Sequence, residues 1–315
     1  MNTVSGTDPR LVAHGEQSIR QGSHSFAAAA RLFAPAVREG AVMLYAWCRH
    51  CDDVVDGQEF GHGQAEGDRS DAAARLASLR EATARACAGQ PPDDPVFAGV
   101  AEVVRTFRIP PAYLQQHLDG FAMDVERHRY ATLNDTLRYC WHVAGVVGVM
   151  MSHVMGRIDP PTLDRACDLG MAFQLTNIAR DVVEDAEIGR IYLPAEWLAA
   201  EGIPADGRLA QPEHRVALAC VAARLVNTAE PYYRSAMDGL PALPFRSAWS
   251  IALARSVYRA IGHKVMQRGP AAWDRRAATT KAEKAGWAAI AAAQALVSRV
   301  GTATPRDPAL FVRPV

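Results

Sequence analysis

The stretch GMAFQLTNIARDVVEDAEIGRIYLP, residues 170–194, decides the fold and directs attention to one helix face. Within it Asn177, Asp181 and Asp185 are spaced i, i+4 and i+8. At 3.6 residues per turn this spacing places one amide and two carboxylates along a single side of a helix. Three oxygen-bearing side chains in a row predict half of a metal site.

A second acidic motif occurs earlier, in YAWCRHCDDVVD, residues 45–56. Asp52 and Asp56 repeat the i, i+4 spacing, and Arg49 precedes Asp52 by three residues. Arginines also accompany the later motif, as Arg180 and Arg190. Carboxylates and arginines belong together when divalent cations bridge protein oxygens to a polyphosphate, because Mg²⁺ binds a few carboxylates plus phosphate and arginine binds the remaining phosphate oxygens.

The alternative interpretation is a solvated helix face. One acidic pair at i, i+4 with a nearby arginine is typical of such a face and contributes a few tenths of a kcal/mol. Here, however, two such motifs lie in otherwise apolar helical patterns. Asp52, Asp53 and Asp56 would also repel one another unless a cation lies among them. These features favour the metal site.

Composition limits the function classes. The chain has 315 residues, 49% of them apolar, with 34 Lys plus Arg against 34 Asp plus Glu. A balanced charge gives no basic field of the kind that nucleic-acid binding requires. The first ten residues lack the apolar run of a signal peptide, and the longest nearly apolar segment, 143–151, is too short to span a bilayer. We therefore expect a soluble, cytoplasmic chain that can still touch a membrane surface.

Helical patterns follow one another along the whole chain, and no stretch alternates with period two long enough for a sheet. The sequence predicts an all-α fold, with a single domain over residues 1–301 and a loose proline-containing tail over 302–315. It also predicts a mobile glycine-rich loop over residues 57–71, and a helix capped by Asn134 or Asp135.

Two further segments leave alternatives open. Cys48 and Cys51 form a CxxC, which suits a redox or zinc role, but no second CxxC accompanies it and a buried helix with small apolar residues is the favoured interpretation. The small residues Ala144, Gly145 and Gly148 indicate either close helix packing or room for a long hydrocarbon beside the metal site. An apolar cavity there would protect a carbocation from water.

The motifs together resemble those of the squalene/phytoene synthase family, and most of all the bacterial phytoene synthases of carotenoid biosynthesis. The resemblance covers residues 22–276, and its specific parts are SHSF at 23–26, YAWCRHCDDVVD, YCWHVAGVVG from Tyr139, and QLTNIARDVVEDAEIGRIYLP from Gln174. It implies an isoprenoid-synthase type helical bundle with a central active-site cavity. Val183 and Asp53 depart from residues common in the family, and neither departure removes an implied ligand.

The resemblance also implies roles for individual residues. The catalytic carboxylates would be Asp52, Asp56, Asp181 and Asp185. The Mg²⁺ or Mn²⁺ ligands would be Asp52, Asp53, Asp56, Asn177, Asp181 and Asp185, with Glu184 nearby. The substrate would contact Ser23, Ser25, Phe26, Tyr45, Arg49, Tyr139, Gln174, Asn177, Arg180, Tyr258 and Arg276. Arg275 is adjacent to Arg276, so which of the two contacts diphosphate stays open.

The implied reaction is head-to-head condensation of two geranylgeranyl diphosphates through prephytoene diphosphate to phytoene, with no nicotinamide cofactor. The same motifs would serve a squalene or dehydrosqualene synthase acting on farnesyl diphosphate. A terpene cyclase is disfavoured because its second motif is not a DxxxD, and a non-catalytic helical assembly factor would be expected to lose the aspartates. Because the product would be a large hydrocarbon, we expect peripheral contact with the cytoplasmic membrane and no nucleic-acid partner.

Overall fold

A computed structural model describes residues 7–57, 71–300 and 304–314. Within these ranges the regular structure is helical and no β-strand occurs, which confirms the all-α prediction. The α-helices are α1 (Pro9–Gly22), α2 (His24–Ala30), α3 (Pro35–Asp56), α4 (Ala72–Cys87), α5 (Pro95–Phe107), α6 (Pro111–Val125), α7 (Leu133–Cys140), α8 (Val146–Val154), α9 (Pro160–Glu187), α10 (Ala195–Ala200), α11 (Arg215–Met237), α12 (Phe245–Arg268) and α13 (Lys281–Val297).

Local sequence accounts for where these helices begin and end. A proline occupies the first turn of α1, α3, α5, α6 and α9, where its missing N–H costs nothing. Helix α3 ends at Gly57, whose φ of 64° is the left-handed conformation that glycine adopts readily. The expected cap at Asn134 or Asp135 is wrong: Thr132 caps α7, and the Asp135 side chain accepts a hydrogen bond from the Thr132 N–H, which forms a capping box.

Helix α9 is the central helix of the fold. It is buried on most sides and packs against α8, α11 and α12. Leu175, Ile178 and Ala179 are almost completely buried on it. A helix that is apolar nearly all round lies in a core, so the polar side chains of the later acidic motif are introduced into the middle of the molecule.

A π-helical segment, Trp141–Gly145, connects α7 to α8 and brings this chain close to α9. A Cβ atom on Gly148 would lie 2.2 Å from the carbonyl oxygen of Ala166, and one on Gly170 would lie 2.2 Å from that of Ala144. No side chain fits at these separations. Close packing is therefore what the glycines provide, and it fixes the wall of the central cavity.

The C-terminal segment 304–314 is held against the bundle. Arg306 makes two hydrogen bonds to the fully buried Asp168 of α9, at 2.6 and 2.9 Å, and Leu310 is 5% exposed. Arg313 pairs with Asp164 at 2.7 Å. For these residues the expectation of a loose tail is wrong, because a buried carboxylate on α9 requires a cationic partner. The loop predicted over residues 57–71 lies, between its two ends, outside the described residues.

Candidate active site

A central cavity of about 610 Å³ lies between α2, α3, α8, α9 and α12. Its volume falls within the roughly 300–1,000 Å³ of small-molecule sites. It is bordered by every residue for which substrate contact was expected: Ser23, Ser25, Phe26, Tyr45, Arg49, Tyr139, Gln174, Asn177, Arg180, Tyr258 and Arg276. Asp52 also borders the cavity. The structure thus brings together side chains from six separate segments of the chain.

The first acidic motif occupies the last two turns of α3. Arg49 lies one turn before the aspartates and contacts two of them, with its Nη1 3.0 Å from Asp52 Oδ2 and its Nε donating to Asp53 Oδ1 at 3.0 Å. Burial and the neighbouring Asp56 carboxylate raise the pKa of Asp52 to about 7, although Arg49 opposes the rise. A carboxylate in this position would be stabilised by an additional cation.

The second acidic motif lies in the C-terminal half of α9. Arg180 Nε donates to Asp181 Oδ1 at 2.8 Å, and Arg276 Nη2 donates to Asp181 Oδ2 at 2.9 Å. Arg276 also approaches Glu184, at 3.6 Å. The side chain of Arg276 thus reaches this motif and borders the cavity, whereas the carbonyl of Arg275 accepts a hydrogen bond from Arg268.

Arg190 joins the two motifs across the site. It follows α9, yet both of its terminal nitrogens donate to the carboxylate of Asp56 at the end of α3. Burial and the Asp181 carboxylate raise the pKa of Asp185 well above its usual range. Sequence reasoning noted Arg190 beside Asp185 but did not predict this pairing, because the partner of a long side chain across a bundle leaves no local pattern.

The donor set fits a divalent cation. The carboxylates of the two motifs outnumber the guanidinium groups beside them. The carboxylates are those of Asp52, Asp53, Asp56, Asp181, Glu184 and Asp185. The guanidinium groups are those of Arg49, Arg180, Arg190 and Arg276. The Asn177 Oδ1 atom is buried and has no hydrogen-bond partner in the described part of the chain. Within that part, no three His, Cys, Asp or Glu side chains already enclose a metal site.

A network that the sequence did not predict borders the same region. Asp124 of α6 accepts hydrogen bonds from Tyr139 Oη at 3.0 Å and from Tyr192 Oη at 2.9 Å. The two tyrosine rings stack with centroids 4.4 Å apart. Burial raises the pKa of Asp124 to about 6, although Arg190 and the two hydroxyls lower it. Asp124 is not part of an i, i+4 acidic pair, since the other aspartate of α6 is Asp119, so spacing alone gave no signal for it.

Aromatic and aliphatic side chains form the rest of the cavity wall. Phe26 stacks on Tyr258 with centroids 5.1 Å apart, and Phe173 lies 4.4 Å from Tyr258. The wall continues in aliphatic groups: Leu44, Ala144, Val147, Met151, Leu243 and Ile251. Ala144 and Gly148 border the cavity and also pack closely on α9, which confirms the expectation of close packing; room for a hydrocarbon stays a prediction. One end of the cavity is ionic and the remainder is largely apolar.

The CxxC cysteines lie in an environment that disfavours thiolate chemistry. Cys48 and Cys51 are free thiols, Cys51 is fully buried, and burial raises the pKa of both thiols. A raised pKa suppresses the thiolate that redox or metal chemistry requires. The interpretation as two small apolar residues on a buried helix agrees with this environment.

Several known proteins are similar in sequence to this chain. The sequence profile described as squalene/phytoene synthase matches residues 19–283. A phytoene synthase of Pseudescherichia vulneris is 53% identical over 309 residues, which cover 98% of this chain and 100% of that protein. A 15-cis-phytoene synthase of Enterobacter agglomerans is 56% identical over 294 residues, which cover 93% of this chain and 99% of the relative.

Solved structures with the same fold are less similar in sequence. A dehydrosqualene synthase determined in complex with a ligand superposes with a TM-score of 0.80 and 26% identity, covering 90% of this chain and 96% of that one. The squalene synthase HpnC from Alicyclobacillus acidocaldarius superposes with a TM-score of 0.70 at 23% identity, over 84% and 97% of the two chains. The second likeness concerns the fold alone.

Proposed function

The chain belongs to the squalene/phytoene synthase family, and from that premise we propose that it is a phytoene synthase, which joins two geranylgeranyl diphosphates head to head. The observation that supports this class of reaction is a single cavity with arginines and aspartates at one end and a largely apolar wall elsewhere. The substrate length rests on the relatives, which are named phytoene synthases and are more than half identical over nearly the whole chain.

Divalent cations, Mg²⁺ or Mn²⁺, would be held by Asp52, Asp53, Asp56, Asn177, Asp181 and Asp185. When bound, such ions neutralise diphosphate charge and so favour departure of the leaving group. Asn177 supplies an unpartnered oxygen, and the crowded carboxylates supply the negative charge that would attract the cations. In this proposal the ligands come from the C-terminal parts of α3 and α9.

The arginines would bind the diphosphate groups themselves. Arg49, Arg180 and Arg276 border the cavity, and in the structure each is paired with an aspartate. Guanidinium groups bind phosphate oxygens in two-pronged hydrogen bonds. Cations on the carboxylates would leave these arginines available to the substrate. The ionic end would therefore hold the leaving groups while the prenyl chains extend into the apolar end.

The reaction proceeds in two halves. In the first, the donor loses diphosphate, and the double bond of the acceptor attacks the resulting allylic cation to give a new cation on the joined chains. That new cation loses a proton as the cyclopropane ring of prephytoene diphosphate closes. In the second, that intermediate loses its diphosphate, rearranges, and loses a proton to give phytoene. Two diphosphates and two protons leave in all, so no reductant is needed. The released diphosphate is the base that we propose for the final proton.

The cavity wall would protect the carbocations of this reaction from water. The aromatic rings of Phe26, Phe173 and Tyr258 stack beside one another, and the faces of aromatic rings attract positive charge. The aliphatic wall keeps water away from a carbocation. Tyr139 also borders the cavity, and Asp124 fixes the position of its hydroxyl.

The product is a large hydrocarbon, so we propose that the protein works in peripheral contact with the cytoplasmic membrane. In the part of the chain that the structure describes, no helix is long and apolar enough to cross a bilayer.

A product assay tests the proposal. Purified protein with Mg²⁺ or Mn²⁺ is offered geranylgeranyl and farnesyl diphosphate separately, with and without NADPH, and the extracted hydrocarbon is identified by mass. We expect a C40 product from geranylgeranyl diphosphate that requires metal and no NADPH. A C30 product from farnesyl diphosphate alone would place the protein in the squalene branch, and the absence of any hydrocarbon would contradict the enzyme assignment.

A further inference from the structure

The outward face of α13 is apolar from Ala285 to the end of the helix. No charged residue occurs between Lys284 and Arg299, and the exposed residues in that interval are all apolar: Ala285, Gly286, Ala289, Ile290, Ala293, Leu296 and Val297. Val300, which follows the exposed Arg299, is also exposed. Ile290 is 47% exposed, Leu296 59% and Val297 67%. A surface helix normally turns its charged residues outward. Here the exposed face has the composition of a contact surface.

The opposite face of α13 is already satisfied. Ala291 and Ala295 are fully buried and belong to the core cluster that includes Phe33 and Leu243. The helix is therefore packed on its inner side, and its exposed apolar residues form a separate, outward face.

Two aromatic residues of α12 extend this surface. Trp249 donates its indole N–H to the carbonyl of Ala288 at 2.8 Å, and Phe245 lies against Trp249 with ring centroids 6.0 Å apart. Phe245 is 38% exposed. Tryptophan and phenylalanine beside bulky aliphatic residues are typical of helices that lie in a membrane interface.

Basic residues flank this surface, although the whole chain carries no net charge. Arg246, next to Phe245, is exposed, and Glu283 is the one acidic residue within α13. Glu283 is already paired with Lys264 at 2.7 Å. Lys281 and Lys284 lie at one end of α13, and Arg299 follows its other end.

We propose that this face of α13, together with Phe245 and Trp249, docks the protein on an anionic lipid surface. The apolar residues would enter the boundary between headgroups and acyl chains, while the surrounding lysines and arginines contact acidic headgroups. A second copy of the chain is the poorer occupant, because an antiparallel pair of α13 helices would place Lys281 and Lys284 near Arg299 of the other copy.

The docking surface also lies near the apolar end of the cavity. Phe33 and Leu243, from the cluster that receives Ala291 and Ala295, both border the cavity. The purpose of docking, delivery of a hydrocarbon to lipid, rests on the proposed function. The binding itself does not, since it follows from exposed apolar area and charge.

Cosedimentation with vesicles tests the proposal on the full-length protein without substrate. We expect binding to vesicles that contain phosphatidylglycerol, weak binding to pure phosphatidylcholine, and a decrease at high salt. Val297→Glu should lower the bound fraction at least about tenfold, because a carboxylate would have to enter the interface. Val216→Glu is the matched control: Val216 is 68% exposed at the start of α11, and its replacement should leave binding unchanged.

The outcomes are distinguishable. Equal vesicle binding by the Val297→Glu variant and the wild type, with both proteins folded by circular dichroism, would overturn the proposal. A wild-type dimer that Val297→Glu converts to a monomer, without any vesicle binding, would assign the face to a second copy instead. A C40 product formed in detergent without vesicle binding would leave the proposed function standing and remove the docking surface. Vesicle binding without hydrocarbon formation would do the reverse.

Discussion

Asp52 and Asp181 are the carboxylates that best represent the two halves of the site. Each is paired with an arginine that borders the cavity, Arg49 in one case and Arg180 in the other. The i, i+4 spacing was enough to predict that Asp52 shares a helix face with Asp56, and Asp181 with Asp185, since helix geometry fixes that relation. The pairing of Arg190 with Asp56 was not predictable, because it depends on where α9 ends relative to α3.

Replacement of Asp52 or Asp181 by asparagine should remove most turnover and leave the fold intact. The amide keeps the size of the side chain but loses the charge that would bind a cation, so we expect a loss on the order of 100-fold or more in kcat. Hydrocarbon yield and thermal unfolding are measured together. Asp119→Asn is the control, since Asp119 is 46% exposed and pairs with Arg80 away from the cavity. Full activity in either site variant would contradict the assignment.

Metal binding should be visible without catalysis. A ligand that binds only the folded protein raises its unfolding temperature. We expect millimolar Mg²⁺ or Mn²⁺ to raise the Tm of the wild type, and to raise it much less in a double variant with Asp52→Asn and Asp181→Asn. Calorimetry in the absence of substrate provides the measurement. An equal shift in both proteins would locate the cation elsewhere.

Asp124 should leave a signature in the pH dependence of stability. Its pKa in the folded protein is raised to about 6 from a usual value near 4. The folded state therefore holds a proton that the unfolded state has lost between about pH 4 and 6, and stability contributed by this group falls as pH rises through that window. Asp124→Asn should flatten the decline in Tm across the window. An unchanged slope would mean that Asp124 titrates normally.

At the scale of the element, α8 and the π-helical segment before it can approach α9 only because glycine occupies the contact points. The sequence left open whether Gly145 and Gly148 serve packing or cavity space, since both uses require small residues. The structure shows that one wall does both: the backbones touch on one side, and Ala144, Val147 and Met151 border the cavity on the other.

Gly148→Ala should destabilise the protein, because the new methyl group would lie 2.2 Å from the carbonyl oxygen of Ala166, a backbone atom that cannot move alone. Overpacking of this kind costs about 1–3 kcal/mol or more. Chemical denaturation measures the change. Gly286→Ala on α13 is the matched control: nothing lies within 4 Å of its added methyl group, and alanine should stabilise that helix by about 0.5–1 kcal/mol.

At the scale of the whole molecule, the C-terminal segment closes the outside of the bundle against α9 and α11. Phe311 N–H donates to Tyr232 Oη at 3.1 Å, and Arg165 of α9 donates to the carbonyl of Thr304. Proline content alone indicated a loose end. The segment is nevertheless held, because the buried Asp168 requires a cationic partner. That requirement cannot be predicted until the surroundings of α9 are known.

Arg306→Gln should therefore destabilise far more than Arg313→Gln in the same segment. Removing Arg306 leaves a fully buried carboxylate without its cation, which costs about 3–5 kcal/mol. Asp164, the partner of Arg313, is 35% exposed, so that loss should cost no more than about 1 kcal/mol. Denaturant midpoints of the two variants give the comparison, and equal midpoints would show that the segment is held by other contacts.

The ion pair between Arg190 and Asp56 also has a consequence for folding during synthesis on the ribosome. Its partners are 134 residues apart in the chain. At about 5–20 residues per second, the ribosome adds Arg190 roughly 7–27 s after Asp56. During that interval the aspartates of α3 can pair with Arg49, but Arg190, which later joins Asp56 to the end of α9, has not yet been added. The ionic end of the cavity is therefore completed late in synthesis, after most of the helices around it have emerged.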